Sequence, residues 1–190
     1  MPPDFPHDLI PRADADHLIG ALKAMKDQLH GAAQQWELLD ESGHLPAEPS
    51  YTALLQHAID AQDLSREVLG LATGFARGPH RTTTVGSTVM KHLATAVTVS
   101  NHAAAHFAET AEGALALLRS PEPADRHVLA NRMVIDHATA RAYLRRASES
   151  LHNAAEELRG HLGFQHFLTT LTRQKGSPAP PPPKPSGRHR

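Results

Sequence analysis

The chain has 190 residues, 40% of them hydrophobic but only 4% aromatic, and a formal net charge of −1. That length supports one sizeable core filled mainly by Leu, Val, Met and Ala, and the balanced charge argues against a globally basic nucleic-acid binder. No cysteine is present, which excludes a disulfide framework and every thiolate metal site.

Fifteen histidines are the unusual feature, since their full protonation would carry the formal charge from −1 to +14. An imidazole titrates near about pH 6.5. These histidines are scattered along the chain, so drift in composition explains them better than a built pH sensor does.

Residues 1–13 carry four prolines and read as an extended N-terminal arm. Met1-Pro2-Pro3-Asp4-Phe5-Pro6 has neither a basic region nor an apolar run, so no signal peptide is expected. No uninterrupted apolar stretch is long enough to span a bilayer, and a cytoplasmic location is the expectation.

Leu18, Leu22, Met25, Leu29, Ala32, Trp36 and Leu39 alternate in steps of four and three. They predict a first amphipathic helix over 14–41, which Ser42-Gly43-His44-Leu45-Pro46 stops. Ser50 is a good N-cap for a second helix over 50–75, with Leu54, Leu55, Ala58, Ile59, Val68, Leu69, Ala72 and Phe75 on its apolar face. The threonines after Arg81, with Val85 and Gly86, suit a strand or loop as well as a helix start. Met90, Leu93, Val97, Ala104, Phe107, Ala111, Leu115 and Leu118 then mark a third helix, over 83–118. Ser100 and Asn101 interrupt its seam with polar groups that need partners if buried.

The fourth helix, 122–162, organises the rest. Met133, His137, Ala140, Leu144, Ala147, Leu151, Ala154 and Leu158 form one stripe that must be buried. Arg119 and Ser120 alone separate the third helix from Pro121, which predicts a tight antiparallel hairpin. The expected fold is all-α: an up-down-up-down four-helix bundle over 14–172. The last two helices outrun the first two, so their extra length needs cover, either from the short apolar segment 164–171 folding back or from a second subunit. Residues 173–190, with Pro178 and Pro180 to Pro183, read as a disordered, basic, Pro-rich tail.

Several constellations could carry chemistry. Glu149 before His152 and Glu41 before His44 have the spacing of di-metal bundles. The first pair lies off the buried stripe and the second in a loop, so a di-iron core is rejected. His102 and His106 are one turn apart, with Glu109 on the same side, and Asp136 and His137 should lie level with them. His102, His106 and Asp136 are therefore the candidate metal ligands. They face away from the seam, and no resident cofactor is expected. His137 falls on the stripe itself, where a hydrogen bond to Ser100 or Asn101 would make it a structural residue. Arg126, Arg132, Arg141, Arg145 and Arg146 form a basic stripe that could track phosphates, although Tyr143 is the one interleaved aromatic. There is no glycine-rich phosphate loop, no nucleophile elbow and no zinc-protease helix.

Arg132-Met133-Val134-Ile135-Asp136-His137 resembles the Arg-x4-His signature of the HEPN family, helical-bundle domains many of which are ribonucleases. The resemblance covers six residues, and Met133 stands where that family usually has a polar side chain. It implies a dimeric ribonuclease in which Arg132 steadies a phosphate and His137 moves a proton across the dimer interface. A non-enzymatic protein-interaction or scaffold bundle, docking a protein partner or a second copy of itself, is the leading reading. The HEPN-like ribonuclease and a metal- or pH-responsive bundle are its alternatives.

Overall fold

The computed structural model describes residues 9–175, with side chains through Leu171. Among these residues it contains four α-helices, α1 (Arg12–Gln35), α2 (Tyr51–Arg77), α3 (Thr84–Arg119) and α4 (Pro123–Lys175), and one short 3-10 turn, Pro79–Thr82. Most of the expected arm, and residues 176–190 of the expected tail, lie outside the described residues. No described helix is long and apolar enough to cross a membrane.

Side-chain ties fix how neighbouring helices run. Along α1 and α4, Ile10, Lys26 and Ala33 meet His161, Ser148 and Arg141, so the chain positions rise on one helix as they fall on the other. Along α3 and α4, Leu117 meets Arg126 and His106 meets Asp136, again in opposite senses. Between α2 and α3, Ser65 meets Ser100 and Asn101 while His57 meets Phe107. Each adjacent pair is antiparallel. The α3–α4, α2–α3 and α1–α4 faces pack extensively, whereas α1 and α2 touch sparsely.

The α4 stripe explains why that helix is central. Met133, His137, Ala140, Leu144, Ala147, Leu151, Ala154 and Leu158 are all buried. Leu22, Leu29, Leu93, Val89 and Val68 meet this stripe in the main core. A smaller core at the hairpin end joins Leu38, Leu54, Ala111, Ala114, Leu117 and Met133. Full burial of one such aliphatic side chain contributes about 1.5–3 kcal/mol. Alanines at 96, 103, 104, 140, 147 and 154 let the backbones approach closely in a core with few rings.

Two helix ends differ from the periodicity. α1 stops at Gln35 rather than near 41, because Trp36 leaves helical geometry (φ −82°, ψ 105°) and turns its ring inward. Leu38 then enters the small core while Leu39 is exposed, the reverse of the heptad assignment. Asp40 closes the following turn by accepting from the Ser42 and His44 amides, with Gly43 in the left-handed region at φ 80°. At the other end of the chain, α4 does not stop at 162. Residues 164–171 continue it in line instead of folding back, making a helix of 53 residues, roughly 80 Å long at 1.5 Å per residue. Gly160 and Gly163 are absorbed within the helix, and the Gln165 amide donates to the Ile10 carbonyl.

The threonine-rich stretch after Arg81 is a helix start. Thr83 accepts from the Gly86 amide as the N-cap of α3. Among the described glycines Gly86 has the tightest surroundings, since a Cβ there would lie 1.9 Å from the His80 carbonyl oxygen. Gly86→Ala should therefore lower stability by about 1–3 kcal/mol through overpacking. Gly20→Ala, whose Cβ meets nothing within 4 Å, should be neutral or stabilising by up to about 1 kcal/mol. Urea unfolding midpoints of the two variants check this contrast.

Candidate functional site

Four rings, one from the residue that caps α1 and one from each of α2, α3 and α4, meet beside the end of α1. Trp36 stacks on His57 with centroids 5.1 Å apart and planes within 7°. Phe107 meets both edge-on and also presents its edge to His137 at 5.4 Å. His137 is 3% exposed, and its Nε2 has no hydrogen-bond partner among the described residues; the same holds for His57 Nδ1. The partners expected for His137 are engaged elsewhere. Ser65 donates to Asn101 Oδ1 at 2.7 Å, and Ser100 donates to Ser65 Oγ and to the Val97 carbonyl. Burial pushes the His137 pKa down to about 4, with the nearby Arg141 and His57 charges acting in the same direction. Burial lowers His57 as well, against an opposing pull from Asp60.

Arg132 and His137 are not brought together within the chain. The Arg132 guanidinium is 72% exposed and sits 3.5 Å from Asp136 Oδ2, while His137 faces the core. The basic stripe is also divided. Arg126 donates to the Leu117 carbonyl and Arg141 to the Ala33 carbonyl, each capping an orphan oxygen near a helix C-terminus. Arg145 and Arg146 are exposed.

The predicted metal ligands separate into two groups. His106 Nδ1 lies 3.0 Å from Glu109 Oε2 and 3.4 Å from Asp136 Oδ1, joining α3 to α4. His102 instead packs edge-on against Tyr143 at 5.3 Å. Tyr143 also stacks on His106, at 5.7 Å and 15°. Glu109 thus takes the place expected for His102; its signal in the sequence was the three-residue step from His106.

Two further features had no motif to announce them. The sparse α1–α2 contact leaves a groove of about 510 Å³ beside Leu18, Ala21, Gly70, Leu71, Gly74 and Phe75. Through Glu67 it continues into a second stretch of about 550 Å³ beside Gly31, Trp36, Asp27, Asp60 and Asp63. At the end of the molecule where His161 accepts from the Ile10 amide, α4 runs on past its neighbours. There Phe164, Phe167 and Leu171 are 56%, 57% and 44% exposed.

Comparison with protein-family models, with curated proteins and with solved structures finds no match to this chain.

The buried histidines set a pH dependence. Above about pH 6.5 both are neutral in the folded and unfolded chain alike. Between there and about pH 4, only the unfolded chain gains the His137 proton, so folding is weakened as pH falls through that window. His137→Phe keeps a ring against Phe107 and removes the titration. Its unfolding midpoint should fall less than that of the wild type between pH 7 and pH 4.5, by an amount on the order of 1–3 kcal/mol. Equal losses in the two proteins would contradict this assignment.

Proposed function

We propose that this chain is a non-enzymatic, up-down-up-down four-helix bundle that works by docking helices, and that its α1/α2 groove receives the C-terminal end of α4 from a second copy. The observation that carries this reading is the coexistence, in one chain, of an open groove between α1 and α2 and a helix end whose Phe164, Phe167 and Leu171 are exposed. Their spacing of three and four residues is that of an amphipathic helix anchored in a groove.

The groove lies open along the α1/α2 face. A Cβ at Gly31, Gly70 or Gly74 would meet nothing within 4 Å among the described residues, so these glycines leave space open along the groove. Each costs helix stability of about 0.5–1 kcal/mol relative to alanine. Charge favours the same occupant. The apolar half of the groove, near Leu18 and Phe75, lies at the end from which α4 projects, and the half beyond it carries Asp27, Asp60, Asp63 and Glu67. Past Leu171 the sequence continues with Arg173 and Lys175. An apolar stretch followed by basic residues therefore enters a groove that is apolar first and acidic deeper in. Reciprocal insertion by two copies closes as a two-fold dimer and leaves no open-ended surface for fibre growth.

Sedimentation equilibrium tests this directly. The wild type should be a reversible dimer, and two variants should weaken it by at least about ten-fold, or 1.4 kcal/mol. One is Phe164→Ser with Phe167→Ser, which disables the insert; the other is Gly70→Gln, which fills the groove. Mixing the two variants should restore one of the two insertions and recover part of the affinity. A wild type that stays monomeric at every concentration would overturn the proposal, as would a dimer indifferent to both changes.

A further inference from the structure

The geometry points to a divalent-metal site on the α3/α4 face, built from His106, Glu109 and Asp136 and separate from the groove. Each residue offers one ligand atom, and these atoms all lie within 4.8 Å of one another. His106 and Glu109 share a helix face at a spacing of three, and Asp136 enters from α4 across the hairpin. One imidazole nitrogen and two carboxylate oxygens form a neutral set around a divalent ion, and no thiolate is available to draw a softer one.

The His106 ring argues for convergence on an ion rather than for a pair of ordinary hydrogen bonds. Its Nδ1 is shielded from solvent and close to both carboxylates, yet it makes no hydrogen bond of acceptable geometry among the described residues. With its proton on Nε2, the ring presents an Nδ1 lone pair beside the two carboxylate oxygens, the form in which an imidazole ligates a cation. Stacking on Tyr143 holds the ring in that orientation. Asp136 is nine-tenths buried, and Arg132 engages its Oδ2, which leaves Oδ1 directed at His106. That contact orients the carboxylate as an outer partner orients a metal ligand.

Beside the carboxylates lies a cleft of about 140 Å³, also lined by Glu112, Gly113 and Met133. It holds room for several waters at about 30 Å³ each. Three protein ligands with a water in the fourth position is a coordination zinc accepts readily, and zinc is the probe of choice. The site would tie α3 to α4 near the hairpin and add to the bundle's stability by mass action.

Fifteen histidines make weak surface binding of zinc unavoidable, so the test rests on variants of the full chain. Calorimetric titration of the wild type with zinc should give one site per chain clearly tighter than the rest, together with a rise in melting temperature. His106→Ala and Asp136→Asn should each weaken that site by at least about ten-fold, as losing even an outer partner commonly does, and abolish the thermal shift. Glu109→Gln should weaken it in the same direction. His102→Ala should leave it intact, since His102 packs edge-on against Tyr143 and offers no ligand atom to the His106, Glu109 and Asp136 group. Circular dichroism of the metal-free variants establishes that they are folded. Absence of a distinct tight site in the wild type would overturn the assignment, as would equal zinc binding and equal thermal shift in folded His106→Ala and Asp136→Asn.

Discussion

The packing of Trp36, His57, Phe107 and His137 is the contact on which the remaining structure depends. One ring comes from the end of α1 and one from each of α2, α3 and α4, so the cluster is the place where all four segments register against one another. Rings in edge-to-face and offset-stacked pairs contribute about 0.5–1.5 kcal/mol beyond their buried area. In a core otherwise filled by alanine and leucine, that directional term matters more than usual. Trp36 leaves helical geometry where its ring lies flat on His57, and α1 ends there. The cluster also explains a buried histidine with an unsatisfied nitrogen, since the four-way contact is made with the neutral ring.

The same cluster accounts for the groove. Trp36 stacks on His57 where α1 ends, and at the opposite end His80, in the turn after α2, reaches Asp14 of α1 at 3.3 Å. Elsewhere α1 is drawn toward α4 by Arg141 on the Ala33 carbonyl, Ser148 on the Lys26 carbonyl and the His161 contact with Ile10. On the other side α2 is drawn toward α3 by the Ser65, Ser100 and Asn101 network. With each helix committed to a different partner, and glycines at 31, 70 and 74 along the gap, no described residue fills the space between α1 and α2.

Asp136 and His137 are consecutive residues with opposite fates. A step of about 100° around a helix turns the first toward His106 and Glu109 and the second into the core. Burial without a partner leaves His137 neutral well into the acid range, whereas Asp136 is flanked by Arg132 and His106. His106, Glu109 and Asp136 gather on this face, whereas within one chain the Arg132 guanidinium is exposed and the His137 ring is buried.

The all-helical class was legible because the three-four spacing of Leu22, Met25 and Leu29, and of the α4 stripe from Met133 to Leu158, is a local property of the chain. Burying such a stripe is the main way these helices gain stability, so the pattern alone identifies the faces that pack. The sequence was weaker wherever a residue had two acceptable environments. Trp36 and Leu39 satisfied the heptad on paper, but ring stacking on His57 outweighed one more helical turn and handed the buried position to Leu38. Phe164, Phe167 and Leu171 suited either a fold-back or an extension, and an unbroken helix through Gly160 and Gly163 decided it. That Glu109 rather than His102 joins His106 and Asp136 depended on the rotation of α3 against α4. No single-chain periodicity encodes that rotation, because it is set by the packing of both helices at once. The open face between α1 and α2 belongs to the same class: it is a property of which helices choose one another, and only the tertiary structure decides that.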